Sequence, residues 1–141
     1  MSTTEMQLGF KVELNATLEE ALEKVTAALK TEGFGVLTEI DVQATLKKKL
    51  EVDFRPYRIL GACNPSLAHR ALTVAPEVGL LLPCNVTVAQ VGANRVEVAL
   101  VDLLAMLGIV ANPALQTSAD EAHAKLSRVA AILKEEPHAI V

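Results

Sequence analysis

The sequence has no tryptophan, one tyrosine and three phenylalanines among its 141 residues. Aromatic platforms for stacking on bases or sugar rings are therefore scarce, and the core must come from the aliphatic side chains that dominate a 51% hydrophobic fraction. Basic excess is lacking too. Net charge is −4, and the two halves are alike: residues 1–58 carry 8 basic against 10 acidic side chains, residues 59–141 carry 5 against 7. Neither half offers the cationic footprint that neutralising phosphates requires, and the one basic run, Lys47-Lys48-Lys49, is followed at once by Glu51 and Asp53. No nucleic-acid partner is expected.

Long apolar runs are missing as well. The longest, Val98 to Ala111, is broken by Asp102 and falls short of the ~20 residues that span a bilayer. MSTTEMQLGFKVEL at the N-terminus lacks the basic stretch and apolar core of an export signal. The expectation is a cytoplasmic protein with no membrane partner. Its two cysteines, Cys63 and Cys84, then read as reduced thiols rather than a structural staple.

What is present is a clear succession of short patterns. In LGFKVEL, residues 8–14, Leu8, Phe10, Val12 and Leu14 alternate with Lys11 and Glu13, a half-buried strand. Thr17-Leu18-Glu19-Glu20 fits a capping box, in which the threonine hydroxyl accepts from the Glu20 N–H and the Glu20 carboxylate from the cap N–H. The helix it opens has an apolar stripe of Leu18, Ala21, Leu22, Val25, Ala28 and Leu29, and Gly33 supplies a left-handed stop. A strand over 34–40 leads to Asp41, the cap of a short helix over 42–50, and a third strand lies near 54–63. Asn64 caps the next short helix, with Pro65 at its first position. CNVTVAQV and RVEVALV, joined by Gly92-Ala93-Asn94, form a hairpin. Ser118-Ala119-Asp120-Glu121 reads as a second capping box, opening a final helix that runs to about residue 135. Between them, Leu103 to Leu115 fits either a short apolar helix or an oligomer contact. These elements make one α+β domain over 1–141: a single curved, largely antiparallel sheet of about five strands packed by two long helices, plus short helices.

Four blocks carry a family resemblance: GFGVLTEIDV at 33–42, TLKKKLEVDFRPYRILGACNP at 45–65, LAHRAL at 67–72 and GLLLPCNVTV at 79–88. On these the chain, over about residues 8–135, resembles the prokaryotic family known as domain of unknown function 302. Where that family often has a proline soon after the fifth strand, this chain reads VDLLAML. The resemblance implies a fold similar to that of the TATA-box-binding protein, as a homodimer, without DNA binding. It implies no reaction, cofactor or catalytic residue.

The residues themselves point to the two cysteines. Alternation puts Tyr57, Ile59, Gly61 and Cys63 on one face of the third strand and Cys84, Val86 and Val88 on one face of the fourth, both read here as core faces. If those strands pair antiparallel, the thiols come to the same end of the sheet. Cys63 precedes a helix whose dipole favours a thiolate, which makes it the candidate nucleophile with Cys84 as resolving partner. Burial as small apolar side chains is the plainer alternative. His69, about one turn into the helix, would be a third soft ligand, but two thiols and one histidine leave a fourth unnamed and the spacing matches no zinc pattern, so neither metal nor cofactor is assigned.

Around the cysteines, Asn64 is a cap or a ligand contact, and Asn85, facing away from Cys84, is placed to bind a ligand or an adjacent backbone. Glu39, Lys49, Arg55, Tyr57 and Arg58 are the other polar candidates. Glu39 shares a strand face with Leu37; a solvated strand-edge carboxylate is the plainer alternative to one paired with a cation, for which Lys49 is a candidate. The reading that follows is a small cytoplasmic homodimer that binds a small ligand or protein partner through Cys63, Asn64, Cys84, Asn85, Glu39, Lys49, Tyr57 and His69. A thiol-based redox or sulfur-transfer enzyme using Cys63 and Cys84, and a purely structural interaction module, are the alternatives. A mean hydropathy of +0.34 points to apolar surface that a second copy would cover, with LLAMLGIVA as its expected location.

Overall fold

Alternating segments between residues 3 and 101 build the sheet, and capped amphipathic segments build the layer above it. The computed structural model describes residues 3–5, 8–107 and 112–135. A short strand β1 (Thr3–Glu5) precedes β2 (Gly9–Leu14), helix α1 (Leu18–Thr31), β3 (Gly35–Asp41), α2 (Val42–Leu50), β4 (Tyr57–Cys63) and α3 (Pro65–Val74). A 3₁₀ segment (Pro76–Leu81) leads to β5 (Cys84–Gly92), β6 (Arg95–Val101), α4 (Leu103–Leu107), a 3₁₀ turn (Pro113–Leu115) and α5 (Gln116–Lys134). The strands form one six-stranded sheet in the order β1-β2-β6-β5-β4-β3, every neighbouring pair antiparallel. The fold is α+β, with one more strand than the five patterns anticipate, because β1 pairs with β2 at the edge.

Helices α1 and α5 pack against each other and against the same sheet face. Val12 and Leu14 of β2, Leu60 of β4, Val86 and Val88 of β5, and Val98 and Leu100 of β6 meet Val25 and Leu29 of α1 and Leu126, Val129 and Leu133 of α5 in a buried aliphatic core. Leu8 departs from the expected stripe: it precedes β2 and is 69% exposed.

Local signals placed most boundaries. Thr17 and Glu20 form the reciprocal capping box, with Oγ1 accepting from the Glu20 N–H at 3.2 Å and the Thr17 N–H donating to Glu20 Oε1 at 2.9 Å. Gly33 follows α1 with φ of +84°, a left-handed conformation that costs glycine least. Asp41 caps α2 through the Ala44 N–H, and Asn64 caps α3. The box read at Ser118 is not a helix start. Helix α5 begins two residues earlier as a continuation of the 113–115 turn, and Glu121 is drawn to Arg70 instead.

Strand parity on β4 is also opposite to the sequence reading. The register pairs Leu60 with Val86 and Ala62 with Cys84, so Leu60 and Ala62 face the helices with the buried side of β5. Tyr57, Ile59, Gly61 and Cys63 belong to the other face. Because β4 carries apolar residues at successive positions, periodicity alone does not choose between its two faces.

Candidate functional site

Where β4 ends and β5 begins, the helical layer does not fully close over the sheet. A small pocket of about 40 Å³ remains, lined by Phe34, Ala62, Cys63, Asn64 and Cys84, by Leu67 and Ala71 of α3, and by Leu103 and Ala122 of α4 and α5. Its lining is almost wholly apolar; Asn64 and Ser118 supply the polar side chains. That volume holds water-sized or slightly larger occupants, well short of the several hundred Å³ of a drug-sized site. Arg70 of α3 straps the helical side to α5 through Glu121 at 2.7 Å, and the arginine holds that carboxyl below its usual range.

Cys84 is 5% exposed, and burial, with Cys63 nearby, pushes its thiol up to about 11. Cys63 is half-buried at the pocket rim, and both thiols are free. Across the ladder Cys84 stands opposite Ala62, while Cys63 is paired with Gly35 on the other side. The cysteines thus lie one register step apart rather than directly opposed, and both border the pocket.

Asn64 is the pocket's anchor. Its Oδ1 accepts from the Leu67 N–H at 3.2 Å, and its Nδ2 donates to the Glu32 carbonyl at 3.1 Å, so one side chain joins the start of α3 to the end of α1. Gly33 makes this approach possible, since a Cβ there would sit 3.0 Å from Asn64 Nδ2. Both ends of the amide are engaged with backbone, which makes Asn64 a wall of the pocket rather than a group waiting for a ligand. Gly61 plays the matching part on the outer face, where a side chain would collide with Thr38 and with Pro83.

The remaining candidates lie elsewhere. Glu39 finds its cation in Arg58, not Lys49: the guanidinium binds Glu39 directly, lies 3.5 Å from Asp41 and reaches Glu19 of α1 at 4.0 Å. A bulge between Val36 and Thr38 removes Leu37 from the ladder and sets Glu39 opposite Leu60, beside Arg58. Lys49 is exposed on α2, and the ion pair seen on that helix is Lys47 with Asp53. Tyr57 stacks obliquely with Phe54 at 6.0 Å. His69 is exposed on α3 beside Arg70 and Thr73, and Asn85 lies in an outer depression with Leu80, Pro83 and Val101.

Sequence reasoning missed one polar pair. Asp102, 8% exposed just after β6, accepts from the Leu104 N–H at 3.0 Å and lies 2.9 Å from His123 Nδ1, while the His123 ring packs tilted against Phe10 at 5.3 Å. Leu103 and Ala122, the immediate neighbours of these two residues, form pocket wall. An aspartate interrupting an apolar run was the available signal, because a buried carboxylate must find donors. Among the described residues, no group of three His, Cys, Asp or Glu side chains is placed to hold a metal ion, and no helix is long and apolar enough to cross a membrane.

The architecture and the pocket define a class: a small α+β domain with one antiparallel sheet, a helical layer on one face, and an apolar pocket at the sheet's end. Over residues 10–133 the chain matches the family described as Domain of unknown function DUF302, and it belongs to that family. A solved structure of an uncharacterized conserved DUF302 protein from Bacillus stearothermophilus is similar, with 32% sequence identity and a TM-score of 0.79, covering 91% of this chain and 97% of that one. No curated protein matches the chain.

Proposed function

We propose that this protein is a cytoplasmic homodimer that binds a small apolar ligand in the pocket at the β4–β5 end, without catalysis of its own. The observation that carries this reading is the pocket itself: an apolar space whose wall brings together Cys63, Asn64 and Cys84. Apolar enclosure with few polar contacts favours binding by exclusion of water, and about 40 Å³ favours a short aliphatic chain or a single ring edge over a nucleotide or sugar. Thiol exchange between the two cysteines is the weaker reading. It requires the sulfurs to meet, and their one-step offset in register opposes that.

The test is a titration of isotopically labelled protein with short-chain alkanols and alkanethiols, followed by backbone amide NMR. Amides of Phe34, Leu67, Cys84 and Leu103 should shift together and saturate, and the Ala71→Phe variant, which fills the space, should abolish the effect. Shifts that scatter over the surface, or persist in that variant, would remove the site assignment.

A further inference from the structure

Helix α2 is well formed but has no fully buried residue, its Val42 and Leu46 being half-buried. Asp41 caps its start, Glu51 ends it in the left-handed conformation, yet none of its nine residues is buried, and within the chain its main contact is with β4. Isolated helices this short are unstable in water, so tertiary support is expected for one with defined ends. Its apolar residues Val42, Leu46 and Leu50 recur at four-residue spacing along one side, and Leu50 is 65% exposed. The following segment adds exposed Val52 and Phe54, and the adjoining edge strand β3 adds exposed Leu37 and Ile40.

A complementary surface lies on the same chain, across β3. Glu19, Leu22, Glu23, Thr26, Ala27 and Lys30, one stripe of α1, form with Glu39 a broad shallow groove of about 450 Å³. Unlike the sheet-end pocket, it suits a row of side chains. The stripe from Glu19 to Lys30 runs about 18 Å and α2 about 14 Å, at 1.5 Å per residue. The charges are opposed as well: the last turn of α2 carries Lys48 and Lys49 beside the Asp53-paired Lys47, and the first half of the groove carries Glu23 together with Glu19 and Glu39, which share Arg58.

We propose that the groove between α1 and β3 receives helix α2 of a second copy of this chain, reciprocally about a two-fold axis beside the β3 edges. The helices run antiparallel, which sets Lys47 and Lys49, on either side of the leucine stripe, toward Glu19 and Glu23 while Leu46 and Leu50 cover Leu22 and Ala27. An arm and a groove of opposite charge flanking one edge strand are what a self-complementary interface needs. This rests on the homodimer reading above and adds its location.

Sedimentation equilibrium tests it. The wild-type chain should be a dimer at micromolar concentration. Leu46→Glu with Leu50→Glu should weaken the dimer by roughly a hundredfold or more while leaving far-ultraviolet circular dichroism unchanged, because α2 supports no core residue. Lys47→Glu, Lys48→Glu, Lys49→Glu and, separately, Glu19→Lys, Glu23→Lys should each weaken it by at least roughly tenfold, and mixing the two charge-reversed chains should restore a heterodimer. A monomeric wild-type chain overturns the dimer and the interface together. A wild-type dimer that survives the leucine substitutions leaves the dimer standing and overturns this interface. Charge-reversed chains that fail to recombine overturn the pairing of arm with groove.

Discussion

Ala62, rather than Cys63, faces Cys84 across the β4–β5 ladder. Mild oxidation of the folded protein should therefore cap Cys63 with glutathione and leave Cys84 untouched. Intact-mass and peptide analysis check this, and conversion of the two thiols into an intramolecular disulfide without unfolding would sink the register argument.

Burial of Cys84 makes stability fall in alkali. Its thiol is raised from 9.0 to about 11, so the neutral form is favoured in the folded state; the contribution is intact below pH 9 and is lost as pH rises through 11. Two units correspond to at most about 3 kcal/mol. Urea unfolding of wild type and Cys84→Ala between pH 8 and 11 should show the wild type losing more stability than the variant; parallel curves would contradict it.

Asn64→Ala should cost about 1–3 kcal/mol, since it removes a helix cap and leaves the half-buried Glu32 carbonyl without its donor. Asn64→Asp keeps the cap oxygen and loses the donor, so chemical denaturation should place it between the two. Equal stability of Asp and Asn chains would show that the link to α1 contributes nothing.

Arg58 sits among three carboxylates and is the less exposed partner in each ion pair. Arg58→Ala should destabilise by about 1 kcal/mol, a loss that shrinks in high salt as the remaining acids are screened from one another. Lys49→Ala should lie within about 0.5 kcal/mol of wild type. Thermal melts at two salt concentrations distinguish them, and a larger effect at Lys49 would reverse the assignment.

Asp102 serves two donors and His123 only one acceptor. Asp102→Ala should therefore destabilise more than His123→Ala, by about 1 kcal/mol, the scale of one hydrogen bond. Equal losses in denaturant titrations would mean that the carboxylate's bond to Leu104 is idle.

Much of this structure is written in local chemistry. Thr17, Gly33, Asp41 and Pro65, and Asn64 in its role as a cap, each act within a few residues of themselves, so the chain shows them directly. Ser118 failed because a capping box is only one way to begin a helix, and a preceding 3₁₀ turn can supply the first turn's backbone partners. The face of β4 and the partner of Glu39 depend on which strand lies alongside and where a bulge falls, and those relations span tens of residues. The pocket is harder still to read in advance: it is the space left by Phe34, Ala71, Leu103 and Ala122, four side chains on four segments that no spacing rule connects.

The bulge at Leu37 has a consequence for solubility. Edge strands with exposed apolar side chains, as β3 has in Leu37 and Ile40, invite further strands to add without limit. One unpaired residue in mid-strand breaks the evenly spaced backbone groups that such growth requires, and glutamate at 39 places charge beside the break. The edge can offer side chains to a neighbour while refusing its backbone as a template, which turns a surface prone to fibre formation into one suited to finite assembly.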